Sequence, residues 1–206
     1  FENRDHGLVA LKAWAEPIQA WHVVRTSGVE SRFEAQHKTR LTPLIGREEQ
    51  IDLLLRRWQT AVEGEGCVVV LTGEPGIGKS HIALALQERI QDERHAILRF
   101  FCSAHNVNSA LFPFIGQLER AAKFERGDTP LEKLSKLETL VARSTGDPED
   151  TAVLANLFAL PAGDRYRLQE LSPQKRKEKT LAALLAQLNS VAAKQPVFIT
   201  FEDVHW

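Results

Sequence analysis

The stretch that most constrains this chain is Gly73-Glu74-Pro75-Gly76-Ile77-Gly78-Lys79-Ser80. It fits G-x-x-x-x-G-K-S/T in full and lies between the apolar run Cys67-Val68-Val69-Val70-Leu71-Thr72 and a helical pattern carrying Ile82, Leu84, Ala85, Leu86 and Ile90. The β-branched run is expected to be a strand buried on both faces of a parallel sheet. A strand, a glycine-rich turn and a helix in this order form a cradle for phosphate. Successive backbone N–H groups must turn inward, which demands close approach and unusual dihedrals at Gly73, Gly76 and Gly78. The helix N-terminus adds partial positive charge. Lys79 can reach β- and γ-phosphates, and the Ser80 hydroxyl can ligate Mg2+. Pro75 donates no N–H and is expected where none is required.

Such a loop needs an acidic partner on another strand to hold the metal, and hydrolysis needs a carboxylate that orients or deprotonates water. Glu202-Asp203 directly follows the strand-like run Val197-Phe198-Ile199-Thr200-Phe201. Side chains alternate along a strand, so adjacent carboxylates at its end point in different directions and can take separate tasks. Glu202 is assigned to the Mg2+ shell and Asp203 to the attacking water, an assignment the sequence allows equally in reverse. No N-K-x-D or T-K-x-D segment follows the loop, which argues against guanine and makes ATP with Mg2+ the expected pair.

The 206 residues, 43% hydrophobic and 26% charged, suffice for one domain, or one domain plus a fragment. Lys plus Arg number 26 and Asp plus Glu 27, so the net charge of -1 gathers no polyanion and disfavours nucleic acid as the main partner. No run approaches the ~18 apolar residues that span a bilayer. Both cysteines, Cys67 and Cys102, fall in runs that look like core strands, which suits a reduced, cytoplasmic protein. The chain has no Met and no secretory signal at its start, and it stops at Trp206 just after a strand-like run; a piece of a longer polypeptide is expected.

Along the chain, Leu8–Leu11 and Ile18–Val24 look like two short extended segments, followed by a polar linker over 26–43 with a helical turn near Ser31–Ala35. Residues 44–206 are expected to form the main domain. An amphipathic helix over 47–62 shows Ile51, Leu54, Leu55, Trp58 and Val62, and Ala96–Cys102 makes a strand, completing a βαβ unit. Three helices begin at Pro113, at Thr129-Pro130 with Glu132 in capping-box register, and at Asp147-Pro148. A fourth begins at Ser172-Pro173 and carries Leu181, Leu184, Leu185, Leu188 and Val191. The expected fold is α/β: a three-layer P-loop NTPase, a parallel sheet flanked by helices, cut off after the acidic strand.

Other features carry less. Lys175-Arg176-Lys177 could be offered as a phosphate-binding lid, but a solvated helix face is the preferred reading. Cys102 and His105 have half of a metal-site spacing with no second pair. Trp14, Trp21 and Trp58 are assigned as apolar anchors, and His81 to packing on the helix. His205-Trp206, beside the acids, could sense the γ-phosphate or could simply pack.

Leu44-Ile45-Gly46-Arg47-Glu48-Glu49, the Gly73–Ser80 loop and Val197–Trp206 together resemble the AAA-like ATPase of the STAND class, signal-transducing NTPases with numerous domains. The resemblance implies that backbone before the first helix lies against adenine, which makes Leu44, Ile45, Gly46 and Arg47 candidate base neighbours, and that Glu202-Asp203 is a Walker B pair. Residues 1–25, through Leu11-Lys12-Ala13-Trp14-Ala15-Glu16-Pro17-Ile18-Gln19-Ala20-Trp21-His22-Val23, resemble the C-terminal strands of a class III adenylate or guanylate cyclase, whose usual glycine after the lysine is Ala13 here. The combination is similar to bacterial cyclases fused to an ATPase. It implies partner domains in the same polypeptide, a cyclase upstream and helical repeats downstream. It also implies sheet order 5-1-4-3-2, in which strand 4 separates the P-loop strand from the Walker B strand. With strands 4 and 5 missing, a distorted or incomplete nucleotide site is expected, phosphate binding surviving better than hydrolysis. The rival readings are an ATP-sensing scaffold without turnover and the ATPase of a transcription regulator.

Overall fold

A computed structural model describes residues 2–12, 14, 16–25, 44–107, 109–161 and 172–205. Its contacts divide the chain into two compact units, Phe1–Ile45 and Gly46–Trp206. The expected linker over 26–43, with its turn at 31–35, lies outside the described residues, as do Ala13 and Trp206.

In the first unit, β1 (Glu2–Val9) and β2 (Ile18–Arg25) form an antiparallel pair, with Leu8 opposite Gln19 and Asp5 opposite Trp21. The first strand starts and ends earlier than the extended segment expected at 8–11. The ladder shifts between Asp5 and Gly7, where the Asp5 carboxylate accepts the Gly7 N–H at 2.7 Å. The anchor assignment for two tryptophans is corrected here: Trp14 is 64% and Trp21 57% exposed. A two-stranded ribbon has no second layer of its own to cover a large ring.

The second unit contains α1 (Glu48–Val62), α2 (Lys79–Arg89), β3 (Ala96–Phe101), α3 (Phe112–Ala121), α4 (Pro130–Ala142), α5 (Pro148–Leu157), α6 (Pro173–Ala192) and β4 (Val197–Glu202). The helix starts follow their caps. Thr129 and Glu132 form a reciprocal capping box, the Asp147 side chain accepts the Glu149 N–H, and the Ser172 hydroxyl accepts the Lys175 N–H. α3 begins one residue before Pro113, after Leu111 in the left-handed region. Strands β3 and β4 pair in parallel, from Ala96 opposite Val197 to Phe101 opposite Glu202. This is the adjacency that the 5-1-4-3-2 order gives its strands 2 and 3.

The expected strand at Cys67–Thr72 is not formed. Residues 65–74 have no regular structure, Val68 is 91% and Val70 74% exposed, and Cys67 is exposed as well. A strand buried on both faces is stable only when each edge finds hydrogen-bond partners and each face finds a layer. Among the described residues no strand lies beside this run, and β4 pairs with β3. The sheet is accordingly a two-stranded parallel pair among the described residues. Cys102 is half-buried, one residue beyond β3.

Two apolar clusters hold the unit together. Leu118, Leu134, Leu137, Val141, Val153, Leu154, Ala183 and Leu184 join α3, α4, α5 and α6. Beside the sheet, Trp58 of α1 sets its ring edge-on to His95 and Phe198, at 5.4 and 6.2 Å between centroids, and its Nε1 donates to Glu93 at 2.6 Å. Phe100 stacks on Phe201 at 4.6 Å. The expected face of α6 is rotated: Thr180, Ala183 and Leu184 are buried, while Leu185 is 58% exposed. Four leucines and a valine cover more of the helix circumference than one neighbour can bury. The packing of α6 on α5, beside which Lys179 and Glu149 form an ion pair, selects the 180/183/184 side. Lys175, Arg176 and Lys177 are exposed. At the start of α4, Asp128 is held below the usual carboxylate range by the Glu125 N–H and by Lys136, whose ammonium is 2.7 Å away and is raised in turn.

Leu137, with no exposed surface, and Leu185 give the sharpest contrast of burial. Leu137→Ala should destabilise the chain by about 2–5 kcal/mol, and Leu185→Ala by less than about 0.5 kcal/mol, in denaturant titrations.

Candidate nucleotide site

The described geometry centres on the first turn of α2. Ile82 and Leu86 of that helix and Ile90 at its C-cap are buried, and the helix packs against α1. Ahead of it the chain must change direction within a few residues. Gly78 is the N-cap in the left-handed region at φ 99, a conformation that costs a side-chain-bearing residue strain and costs glycine little. Gly73 is also at positive φ, 153, and a Cβ there would in addition lie 3.1 Å from Ile77 Cγ2.

Lys79 folds over the loop, its Nζ donating to the carbonyls of Gly73 and Glu74, both at 2.9 Å. The Glu74 carbonyl also accepts the Ile77 N–H at 3.3 Å, so one acceptor ties both sides of the turn. Phosphate oxygens carry full negative charge and make stronger acceptors for the same ammonium than these neutral carbonyls. Residues Gly73 to Ile77, Glu74, Pro75 and Gly76 among them, are exposed; Gly78, Lys79 and Ser80 are half-buried in the first turn of the helix.

The segment before α1 reaches the same loop. Arg47 is half-buried at the N-cap of α1, and its Nη2 donates to the Ile77 carbonyl at 3.5 Å. Gly46 turns the chain at φ 73, and the Glu48 carboxylate accepts its N–H at 3.2 Å. The backbone N–H groups of Glu48 itself and of Gly46 hold the Glu48 carboxyl below its ordinary range, against a small opposing effect of burial. Ile45 is 83% exposed. The sequence marked Arg47 only as backbone beside a base; its side-chain contact with the loop has no signature in the spacing.

The acids sit at the carboxyl end of the parallel pair. Glu202 ends β4, half-buried, and its carbonyl accepts the Cys102 N–H at 3.0 Å. Asp203 is exposed and adopts φ 58, so strand alternation stops at Glu202 and does not set the direction of Asp203. Asp203 thus leaves the strand through a left-handed backbone turn, which Asp tolerates better than most residues. The 3-10 turn Ala104–Asn106, with His105, follows Cys102 and leaves the same end of the sheet. The structure thus brings Lys79 and Arg47 to the loop, and places Glu202 on, and Asp203 just after, a strand paired to β3 and not to the run that leads into the loop. Among the described residues no group of three or more His, Cys, Asp or Glu could hold a metal alone. A Mg2+ here would rely on Ser80, an acid and phosphate oxygens.

The AAA ATPase domain family matches residues 43–206. The chain belongs to it. The match assigns the segment a P-loop α/β fold and a nucleotide-binding or nucleotide-hydrolysing role in general. An uncharacterized protein of Rhizobium meliloti (strain 1021) is 28% identical over 200 residues, 97% of this chain. The chain spans only 19% of that relative's length. No solved structure matches. Among the described residues no helix of this AAA ATPase domain or of the segment before it is long and apolar enough to cross a membrane.

Gly78→Ala is expected to cost about 1–3 kcal/mol in a denaturant titration although its Cβ would meet no atom, because the cost lies in the positive φ. A variant as stable as wild type would contradict that conformation.

Proposed function

We propose that residues 44–206 are the ATP-binding switch of a larger multidomain signalling protein and hydrolyse ATP slowly when the polypeptide is intact. The observation that carries this reading is the complete Gly73–Ser80 turn at the head of α2, with Gly78 in the left-handed region and the Lys79 ammonium held over the loop. The residues fit a nucleotide. Backbone N–H groups of the turn and Lys79 would hold the phosphates, and Gly46 and Arg47, with Ile45 before them, would lie toward adenine. Ser80 and Glu202 would hold Mg2+, which supplies charge neutralisation on the phosphates, while Asp203 orients water. Exchange between nucleotide states is then the biasing event of a conformational switch.

The finer parts of the proposal have their own support. The STAND-class assignment rests on the Gly46-Arg47-Glu48 corner preceding the loop. The upstream cyclase-like segment rests on the Leu11–Val23 resemblance and on the antiparallel hairpin β1–β2 that contains part of it. That the hairpin and the ATPase domain belong to one long chain is supported by the relative, which matches 97% of these residues within a polypeptide about five times longer. Cytoplasmic placement accords with two free cysteines and with a site for a cellular nucleotide.

In the full-length protein, Lys79→Ala should abolish Mg-ATP binding at concentrations that saturate the wild type, measured by equilibrium titration. Affinity retained within about twofold of the wild-type value, a difference of under ~0.5 kcal/mol, would refute the phosphate-loop assignment.

A further inference from the structure

The Gly46-Arg47-Glu48 corner does more than open α1. Within the corner the Glu48 carboxylate accepts the Gly46 N–H, and the Arg47 guanidinium between them reaches a carbonyl thirty residues away, that of Ile77. The peptide joining Ile77 to Gly78 is trans, as is every described peptide bond, so the Ile77 C=O and the Gly78 N–H point in opposite directions. A donor that holds the carbonyl on one side of the loop therefore holds the N–H on the other. Gly78 offers little resistance to rotation of that peptide, because glycine populates both signs of φ and a Cβ here would have no neighbour. A cation on the carbonyl also polarises the peptide and makes its N–H a better donor.

We propose that Arg47 is a positioning residue of the phosphate loop, whose guanidinium fixes the Ile77–Gly78 peptide so that the Gly78 N–H faces bound polyphosphate. This rests on the phosphate-loop reading above and adds to it that Arg47 acts on the phosphate end of the ligand through the loop, independently of any base.

The test uses the full-length protein and two probes, Mg-ATP and Mg-tripolyphosphate, which has no base. Arg47→Ala and Arg47→Gln should each weaken both probes by the same factor, about tenfold, while the nucleotide-free thermal midpoint stays at the wild-type value. Arg47→Lys, which can still donate to the Ile77 carbonyl, should recover part of the loss. A loss confined to Mg-ATP would overturn the proposal in favour of base contact. Unchanged affinity for both probes, a wild type that does not bind tripolyphosphate, or a lowered nucleotide-free midpoint in both variants would overturn it too. Lys79→Ala measured in parallel separates the two failures. If it keeps its affinity, the phosphate-loop reading falls; if it loses both probes while Arg47→Ala loses neither, only the role of Arg47 falls.

Discussion

The geometry of the phosphate loop depends on the burial of one face of α2. Ile82 and Leu86 of that helix and Ile90 at its C-cap are buried, and the loop inherits its position from the helix rather than from the strand-like run before it. In a complete parallel sheet both flanks of such a loop would be anchored. Here the upstream flank, Cys67–Thr72, has no sheet partner among the described residues, yet the turn keeps Gly78 in the left-handed region and Lys79 over its carbonyls. Two of the contacts that hold it are local, the first turn of the helix and the doubly used Glu74 carbonyl, and one comes from thirty residues away, the Arg47 bond to Ile77.

This separates the two halves of the site physically. The phosphate half is built from residues close in sequence, together with one arginine at the start of α1. The acids proposed for hydrolysis, Glu202 and Asp203, lie at the end of a strand whose place is set by its parallel register with β3 and by the stacking of Phe100 on Phe201. Bringing the halves together takes sheet pairing between the loop's own strand and its neighbours. On the proposed reading, phosphate binding is therefore expected to be less sensitive to the state of the sheet than turnover.

How much of this was legible in the sequence follows from the range of the interactions. Caps and loop chemistry act over three or four residues, so Thr129 with Glu132, Asp147, Ser172 and the Gly73–Ser80 turn could be placed from spacing alone. The β3 and β4 strands were legible as apolar runs. The run Cys67–Thr72 was equally apolar, but a strand is a property of its partners, and no local pattern shows whether they are present. Trp14 and Trp21 misled for the same reason: an apolar ring is an anchor only where a second layer exists. On α6 the leucines marked apolar character without fixing the face, which packing against α5 decided. The left-handed turn at Asp203 and the reach of Arg47 to Ile77 arise from backbone direction, which residue spacing does not encode.

The central claim, that this chain binds an adenine nucleotide through the Gly73–Ser80 turn, is tested most directly by its thermal unfolding midpoint with Mg-ATP, with Mg-GTP and with neither. A ligand that binds only the folded state stabilises it by mass action, by about 2.7 kcal/mol at a hundred times its dissociation constant. The account predicts a midpoint that climbs with Mg-ATP concentration and stays still with Mg-GTP. A cooperative transition unmoved by Mg-ATP, or moved equally by both nucleotides, would contradict it.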